Sequence, residues 1–286
     1  MRRGIIAALF GALALLAGCS TLRLVYNQAP ELAYWWLDRY FDFNEGQTPK
    51  VRAALADALR WHRSNQLAAD AAFLQRARAE VLAPVTAPQV CHWFDDTVVR
   101  VETAFEHVLP AVAELVPTLT AAQLVHLERK YDKNNEKFAD DFLQREPAKR
   151  LKAAVKRSID NAETLYGSLD RTQLERISAA VAQSPFDPQV SADERKRLHR
   201  DVLDTLRRLK ADGAASAQIQ AALRALVQRA RASPNEEHRA YQQRLVQYNC
   251  AFAAQVHNST TPEQRQRAAK KLKGWEDDLR SLLPAA

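Results

Sequence analysis

One local signal recurs along this sequence: a small polar residue is followed three positions later by Glu or Gln, and apolar residues then recur every three or four positions. Such a capping box satisfies the free N–H groups at the start of a helix, and the apolar spacing is that of one helix face. The boxes are Thr86–Gln89, Thr120–Gln123, Asp170–Gln173, Ser191–Glu194, Ser233–Glu236 and Thr261–Gln264. No comparable stretch alternates with the period of two that marks a β-strand. The sequence therefore predicts an all-α fold, an irregular bundle of about eight to ten helices.

Glycine and histidine usage excludes several kinds of catalytic site. The chain has only 7 glycines, three of them within the first 18 residues, and the other four are too scattered to build a dinucleotide-binding loop, a P-loop or a nucleophile elbow. No two of the 7 histidines lie three or four positions apart, so they form no helical zinc site. We predict no enzyme, no cofactor and no metal.

Residues 1–18 have the pattern of an export signal, with two arginines, an apolar stretch from Ile5 to Ala17 and small residues at the end. As a helix, the apolar stretch would span roughly 20 Å, which is short of the ~30 Å hydrocarbon core of a bilayer. The residues Leu16-Ala17-Gly18-Cys19 resemble the bacterial lipobox, in which cleavage precedes a cysteine that carries the lipid. In lipoproteins with such a lipobox, a residue other than aspartate directly after the cysteine implies sorting to the outer membrane, and here that residue is Ser20.

These features predict how the chain is divided. We expect a lipoprotein signal peptide at 1–18, a lipid anchor at Cys19, a tether at 19–29 and one helical domain at 30–286, with a soft division near Gly167. The chain carries 41 Lys+Arg and 34 Asp+Glu, and two of the arginines leave with the signal peptide. An exported, membrane-tethered protein is separated from the chromosome, so we predict no nucleic-acid partner. The predicted partners are the membrane, through the anchor, and an envelope protein or an anionic polymer.

Once Cys19 is lipidated, two cysteines remain in an oxidising compartment, and an even count there favours a bridge. We predict a Cys91–Cys250 disulfide, with two buried free thiols as the alternative.

The stretch Tyr26–Gln47 holds three tyrosines, two tryptophans and two phenylalanines. As a helix, it would place Leu32, Trp36, Tyr40 and Phe43 on one apolar face and a row of acids, Asp38, Asp42 and Glu45, on another. Three interpretations stay open: a core helix, a membrane-interface helix, and a surface for a ligand or partner. The acids of the stretch outnumber its one arginine, Arg39, which disfavours an anionic membrane. The candidate binding residues are Tyr26, Asn27, Trp35, Trp36, Asp38, Tyr40, Asp42 and Gln47.

The same stretch, written Arg-Leu-x-Tyr-Asn…Trp-Trp-Leu-Asp-x-Tyr-Phe-Asp…Gln behind a lipobox, resembles a family of proteobacterial lipoproteins known only as a domain of unknown function. That resemblance implies a location and a helical fold, and no activity. A second resemblance is to the periplasmic stress chaperones of the Spy and CpxP kind, whose helices carry L-T-x-x-Q, which Leu119–Gln123 matches in full.

Together these observations predict a lipid-anchored, periplasm-facing helical binding protein of the cell envelope, chaperone-like or an adaptor. The alternative is a cell-wall-acting hydrolase with no recognisable motif, which would need a polar cleft with converging acids.

Overall fold

Helices make up nearly all of residues 21–284, which are the residues that the computed structural model describes. The described part holds twelve α-helices and one 3₁₀ turn, and no strand. The predicted signal peptide and the anchor at Cys19 lie outside it. The helices are α1 (Thr21–Asn27), α2 (Ala29–Phe41), α3 (Thr48–Asn65), α4 (Leu67–Glu80), α5 (Ala87–Leu115), α6 (Ala121–Phe142), α7 (Pro147–Tyr166), α8 (Arg171–Ala182), α9 (Pro188–Ala211), α10 (Ser216–Arg231), α11 (Glu236–Asn258) and α12 (Pro262–Ser281), with the 3₁₀ turn Val116–Thr118 between α5 and α6.

The all-α prediction is confirmed, and the helix count is higher than the predicted eight to ten. One reason is a break at Gln66, which divides the segment from Thr48 to Glu80 into two helices, α3 and α4. The Gln66 side chain is buried and donates a hydrogen bond to the Arg100 carbonyl oxygen at 2.9 Å. A second reason is α1, which makes the segment expected to be a tether helical from Thr21 onward.

Four capping boxes are confirmed, those that begin at Thr86, Thr120, Asp170 and Thr261. The other two predicted helix starts are wrong. Helix α9 begins before Ser191, because the Asp187 carboxylate accepts hydrogen bonds from the backbone N–H groups of the first turn. Helix α11 begins after Ser233, because Asn235 caps it by accepting from the His238 N–H at 3.1 Å.

Two separate apolar clusters hold the helices together. The first joins α5, α6, α9 and α10 and includes Leu109, Leu127, Leu206 and Ile219. The second joins α4, α7 and α12 and is built around Val81, Tyr166, Ala268 and Leu272. Both clusters take residues from each side of Gly167, so the expected soft division there does not separate them.

The Cys91–Cys250 disulfide is confirmed and joins α5 to α11, with the two Cα atoms 5.4 Å apart. Helix α5 is the longest helix described, at 29 residues. Its C-terminal half reaches the first cluster through Leu109 and Ala113, whereas Phe94 and Val101 in its N-terminal half are exposed. The bridge therefore lies in the half of α5 that the first cluster does not reach, where Trp93 packs against the second cluster.

Among the described residues, no individual helix has both the length and the apolar composition needed to cross a bilayer. The segments Ala87–Thr118 and Ala121–Phe142 meet those criteria only when taken together, across a bend of 115°.

Candidate functional site

Helix α2, which carries most of the aromatic stretch, lies on the surface, because none of its residues is buried. This excludes the core-helix interpretation. Trp35 and Trp36 are 67% and 56% exposed, and Leu32 and Leu24 are 54% and 64% exposed. Backbone hydrogen bonds from Gln28 to Leu24 and from Leu32 to Gln28 continue the helical pattern from α1 into α2. Residues spaced by three and four then share one side, and we call Leu24, Leu32, Trp35 and Trp36 the aromatic face.

The end of α2 packs against the first apolar cluster through Tyr40 and Phe41. The Tyr40 hydroxyl accepts a hydrogen bond from the Asn134 side chain on α6 at 2.9 Å. The rings of Trp36 and Tyr40 lie 4.8 Å apart. Tyr40 is therefore a structural residue that connects the aromatic face, through Trp36, to α6.

Three other candidate residues hold the segment in place. The Tyr26 hydroxyl is hydrogen-bonded to His62 Nδ1 on α3 at 2.9 Å. Asn27 Oδ1 accepts from the Arg63 guanidinium at 3.0 Å. Asp38 Oδ1 accepts from the Phe43 N–H at 2.9 Å, at the end of α2. These contacts occupy polar groups that a partner would otherwise use. Trp35, Trp36 and Asp42 are exposed candidates whose side chains make none of these contacts.

Gln47 is buried and structural, because its side chain crosses that of Gln123 at the start of α6. Gln47 Nε2 donates to Gln123 Oε1 at 3.2 Å, and Gln123 Nε2 donates back to Gln47 Oε1 at 2.6 Å. Each amide also donates to a carbonyl oxygen beside the other glutamine, at Thr118 and Asp42, both at 3.0 Å. Asp42 has the left-handed φ of 50° that directs the chain into this junction.

The same crossed-glutamine junction occurs a second time, between α8 and α12. Gln173 and Gln264 donate to each other at 2.7 and 3.0 Å. They also donate to the carbonyl oxygens of Ser259 and Ser168, at 2.9 and 2.8 Å. At the second junction the accepting carbonyls, at Ser168 and Ser259, lie two residues before Asp170 and Thr261, which open the capping boxes of α8 and α12. At the first junction Thr118 lies two residues before the box residue Thr120, and Asp42 lies two residues before Asn44, which exchanges hydrogen bonds with Gln47. The L-T-x-x-Q pattern at Leu119–Gln123 is therefore a helix start whose glutamine forms hydrogen bonds with a second glutamine.

A basic groove lies beside the aromatic face, between α2 and α6. It is open, has a volume of about 310 Å³ and is lined by Arg39, His126, Arg129, Lys130 and Lys133. His126 Nε2 donates to the Arg39 carbonyl oxygen at 3.2 Å, and the Lys130 ammonium lies 5.6 Å from the centre of the Tyr40 ring. Within residues 21–284, none of the two arginines and two lysines of the groove lies within 4.0 Å of a carboxylate oxygen. Sequence reasoning missed this groove, because four of its residues lie nearly ninety positions after α2.

A second groove, of about 640 Å³, runs between α6 and α9. Its walls carry both signs of charge: Asp132 and Glu136 on α6, and Lys196 and Arg200 on α9. Its floor includes His199, whose pKa burial lowers to about 4, so that the ring is neutral at pH 7. In the described part of the chain, no group of three or more His, Cys, Asp and Glu is placed to hold a metal ion.

The model of a family of unknown function, DUF6279, matches residues 39–239, which is more than two thirds of the chain. No curated protein and no solved structure matches.

Proposed function

This chain belongs to the DUF6279 family, to which no activity is attached, and we propose that it is a lipid-anchored binding protein of the cell envelope. Its anchor is Cys19, its body faces the periplasm from the outer membrane, and its contact surface is the aromatic face. The observation that carries this proposal is the exposure of Trp35 and Trp36 on a helix without a buried residue. An adaptor, or a chaperone-like protein, would use such a surface.

Exposed aromatic patches are uncommon on proteins that work alone. Apolar surface left in water costs about 25 cal/mol per Å², and contiguous apolar patches mark contact sites. Here the backbone that carries the patch is also held in place, because Tyr26 and Tyr40 bond to α3 and α6 and Asp38 accepts a hydrogen bond at the end of α2. Such preorganisation favours binding, since little entropy is lost when a partner arrives.

Position along the chain supports the same function. Leu24, the first residue of the aromatic face, lies five residues after Cys19, and five residues reach at most about 18 Å. A protein held by the several acyl chains of a bacterial lipoprotein stays at its membrane. The aromatic face would then work next to the bilayer.

The anchor is testable by mass spectrometry of the N-terminus of the protein purified from membranes. We expect the mature chain to begin at an acylated Cys19 and to fractionate with the outer membrane, whereas Cys19→Ser should leave the signal peptide attached. An unmodified N-terminus beyond Cys19 would contradict the proposed anchor.

The contact surface is testable by a photoreactive benzoylphenylalanine introduced at position 35 and irradiated in intact cells. We expect a discrete adduct at position 35 and none at position 94, where Phe94 is similarly exposed, at 54%, on α5. Trp35→Ala should change the free energy of unfolding by less than about 0.5 kcal/mol, because its side chain is mostly in water. Leu109→Ala, in the buried first cluster, should cost about 2–5 kcal/mol and serves as the stability control. If position 35 gives no more adduct than position 94, the proposed function fails.

A further inference from the structure

We propose that the aromatic face and the basic groove form one surface that binds the anionic phospholipid headgroups of the bilayer in which the anchor sits. The inference rests on the proposed function, because it names the partner of the same surface.

The aromatic face and the groove are continuous. On α2, Arg39 follows Trp35 and Trp36 by one helical turn, so the exposed apolar side chains lead directly into the first cation of the groove. On α6, the other groove residues lie at 126, 129, 130 and 133, the spacing of one helix face. The result is an apolar strip bordered by cations, the arrangement of a surface that rests at the boundary between headgroups and acyl chains.

Two of the four acids that disfavoured a membrane contact already have partners within the protein. Glu31 forms an ion pair with Arg52 on α3, and the Asp38 carboxylate accepts the Phe43 N–H. On α6, Glu128 is paired with Arg207 on α9, and it faces the second groove. The remaining acids of the stretch, Asp42 and Glu45, lie beyond the last residue of α2.

The cations of the groove are free to meet phosphate. None of them is neutralised by a carboxylate in the described part of the chain, whereas all three arginines of α10, Arg224, Arg229 and Arg231, have such partners. Arginine offers a forked pair of donors to phosphate oxygens, and lysine adds point charges. Anionic headgroups supply several such phosphates side by side, which fits a row of cations better than one soluble anion does.

Hydrogen bonds between α2 and α6 set the shape of the groove. The Tyr40–Asn134 bond and the His126–Arg39 bond hold α6 against α2, and the Gln47–Gln123 junction fixes the start of α6. The cations of the basic groove and the tryptophans of the aromatic face therefore lie side by side on one surface of the folded protein.

Vesicle co-sedimentation tests the inference, using residues 19–286 with Cys19→Ser so that no acyl chain contributes. We expect binding to vesicles of phosphatidylcholine with phosphatidylglycerol, weaker binding to pure phosphatidylcholine, and loss of the difference at high salt. Lys130→Gln/Lys133→Gln should weaken binding to the anionic vesicles about thirtyfold. The matched control, Lys196→Gln/Arg200→Gln, removes the same charge from the second groove and should stay within about twofold of the unsubstituted chain. Trp35→Ala/Trp36→Ala should weaken binding to both vesicle types.

Three results would overturn the inference. The first is equal binding to the two vesicle types, and the second is equal loss in the two charge-removing variants. The third is calorimetric binding of inorganic phosphate without vesicle binding, which would assign the groove to a soluble anion. If vesicles fail to bind while position 35 still gives a protein adduct in cells, the lipid inference falls and the proposed function stands.

Discussion

Replacing Gln264 by leucine is expected to lower the free energy of unfolding by about 3–5 kcal/mol, because the change leaves several buried polar groups without hydrogen-bond partners. Its side chain accepts from the Thr261 N–H and donates to the Ser168 carbonyl oxygen and to Gln173. Each buried donor or acceptor left without a partner costs about 1–3 kcal/mol. Chemical denaturation of the purified protein measures the loss.

The crossed geometry predicts a particular pattern of non-additivity. Gln173→Leu/Gln264→Leu should destabilise by less than the sum of the two single changes, because the double variant removes both partners of the bond that joins the amides. Gln89 provides a control within the same chain: it closes the capping box of α5 but is exposed and meets no second glutamine. Gln89→Leu should cost about 1 kcal/mol. Equal losses for Gln264→Leu and Gln89→Leu would show that the junction adds nothing to a single helix cap.

These glutamines also show how far the sequence could predict the fold. A capping box is local, so the starts of α5, α6, α8 and α12 could be predicted from three or four residues each. Whether the box glutamine is then exposed, like Gln89, or buried against another, like Gln264, depends on which helix starts meet in three dimensions. Nothing in the local pattern distinguishes the two. The false starts at Ser191 and Ser233 have a similar cause, since better caps, Asp187 and Asn235, stand a few residues away.

The sequence allowed the aromatic stretch to be identified as a candidate site, but it did not show which of its side chains are exposed or which charges surround them. Periodicity grouped Leu32 and Trp36 with Tyr40, yet only Tyr40 and its neighbour Phe41 reach the core, because α2 ends where it meets α6. Counting charge along the segment gave an acidic total. The structure neutralises part of it through Arg52 and adds cations from α6, both of which are tertiary effects.

Removing the Cys91–Cys250 bridge is expected to lower the free energy of unfolding by as much as about 5 kcal/mol. The two cysteines are 159 positions apart, and a cross-link that closes so long a loop restricts the unfolded chain strongly. We expect Cys91→Ala/Cys250→Ala to unfold at a lower guanidinium concentration than the oxidised wild type. In the folded state, the contact between α11 and the N-terminal half of α5 should loosen first, since the rest of α5 is held by the first cluster.

Reduction supplies the control for this prediction, because dithiothreitol should shift the wild type to the stability of the double variant and leave the variant unchanged. The bridge also reports on location, since such bonds persist in oxidising compartments and are rare in the cytosol. Protein trapped with an alkylating reagent in intact cells should therefore carry no free thiol at either position when it is exported, and two free thiols when it is expressed without residues 1–18. Two alkylated thiols in the exported protein would contradict the bridge and would show that α5 and α11 are not covalently linked.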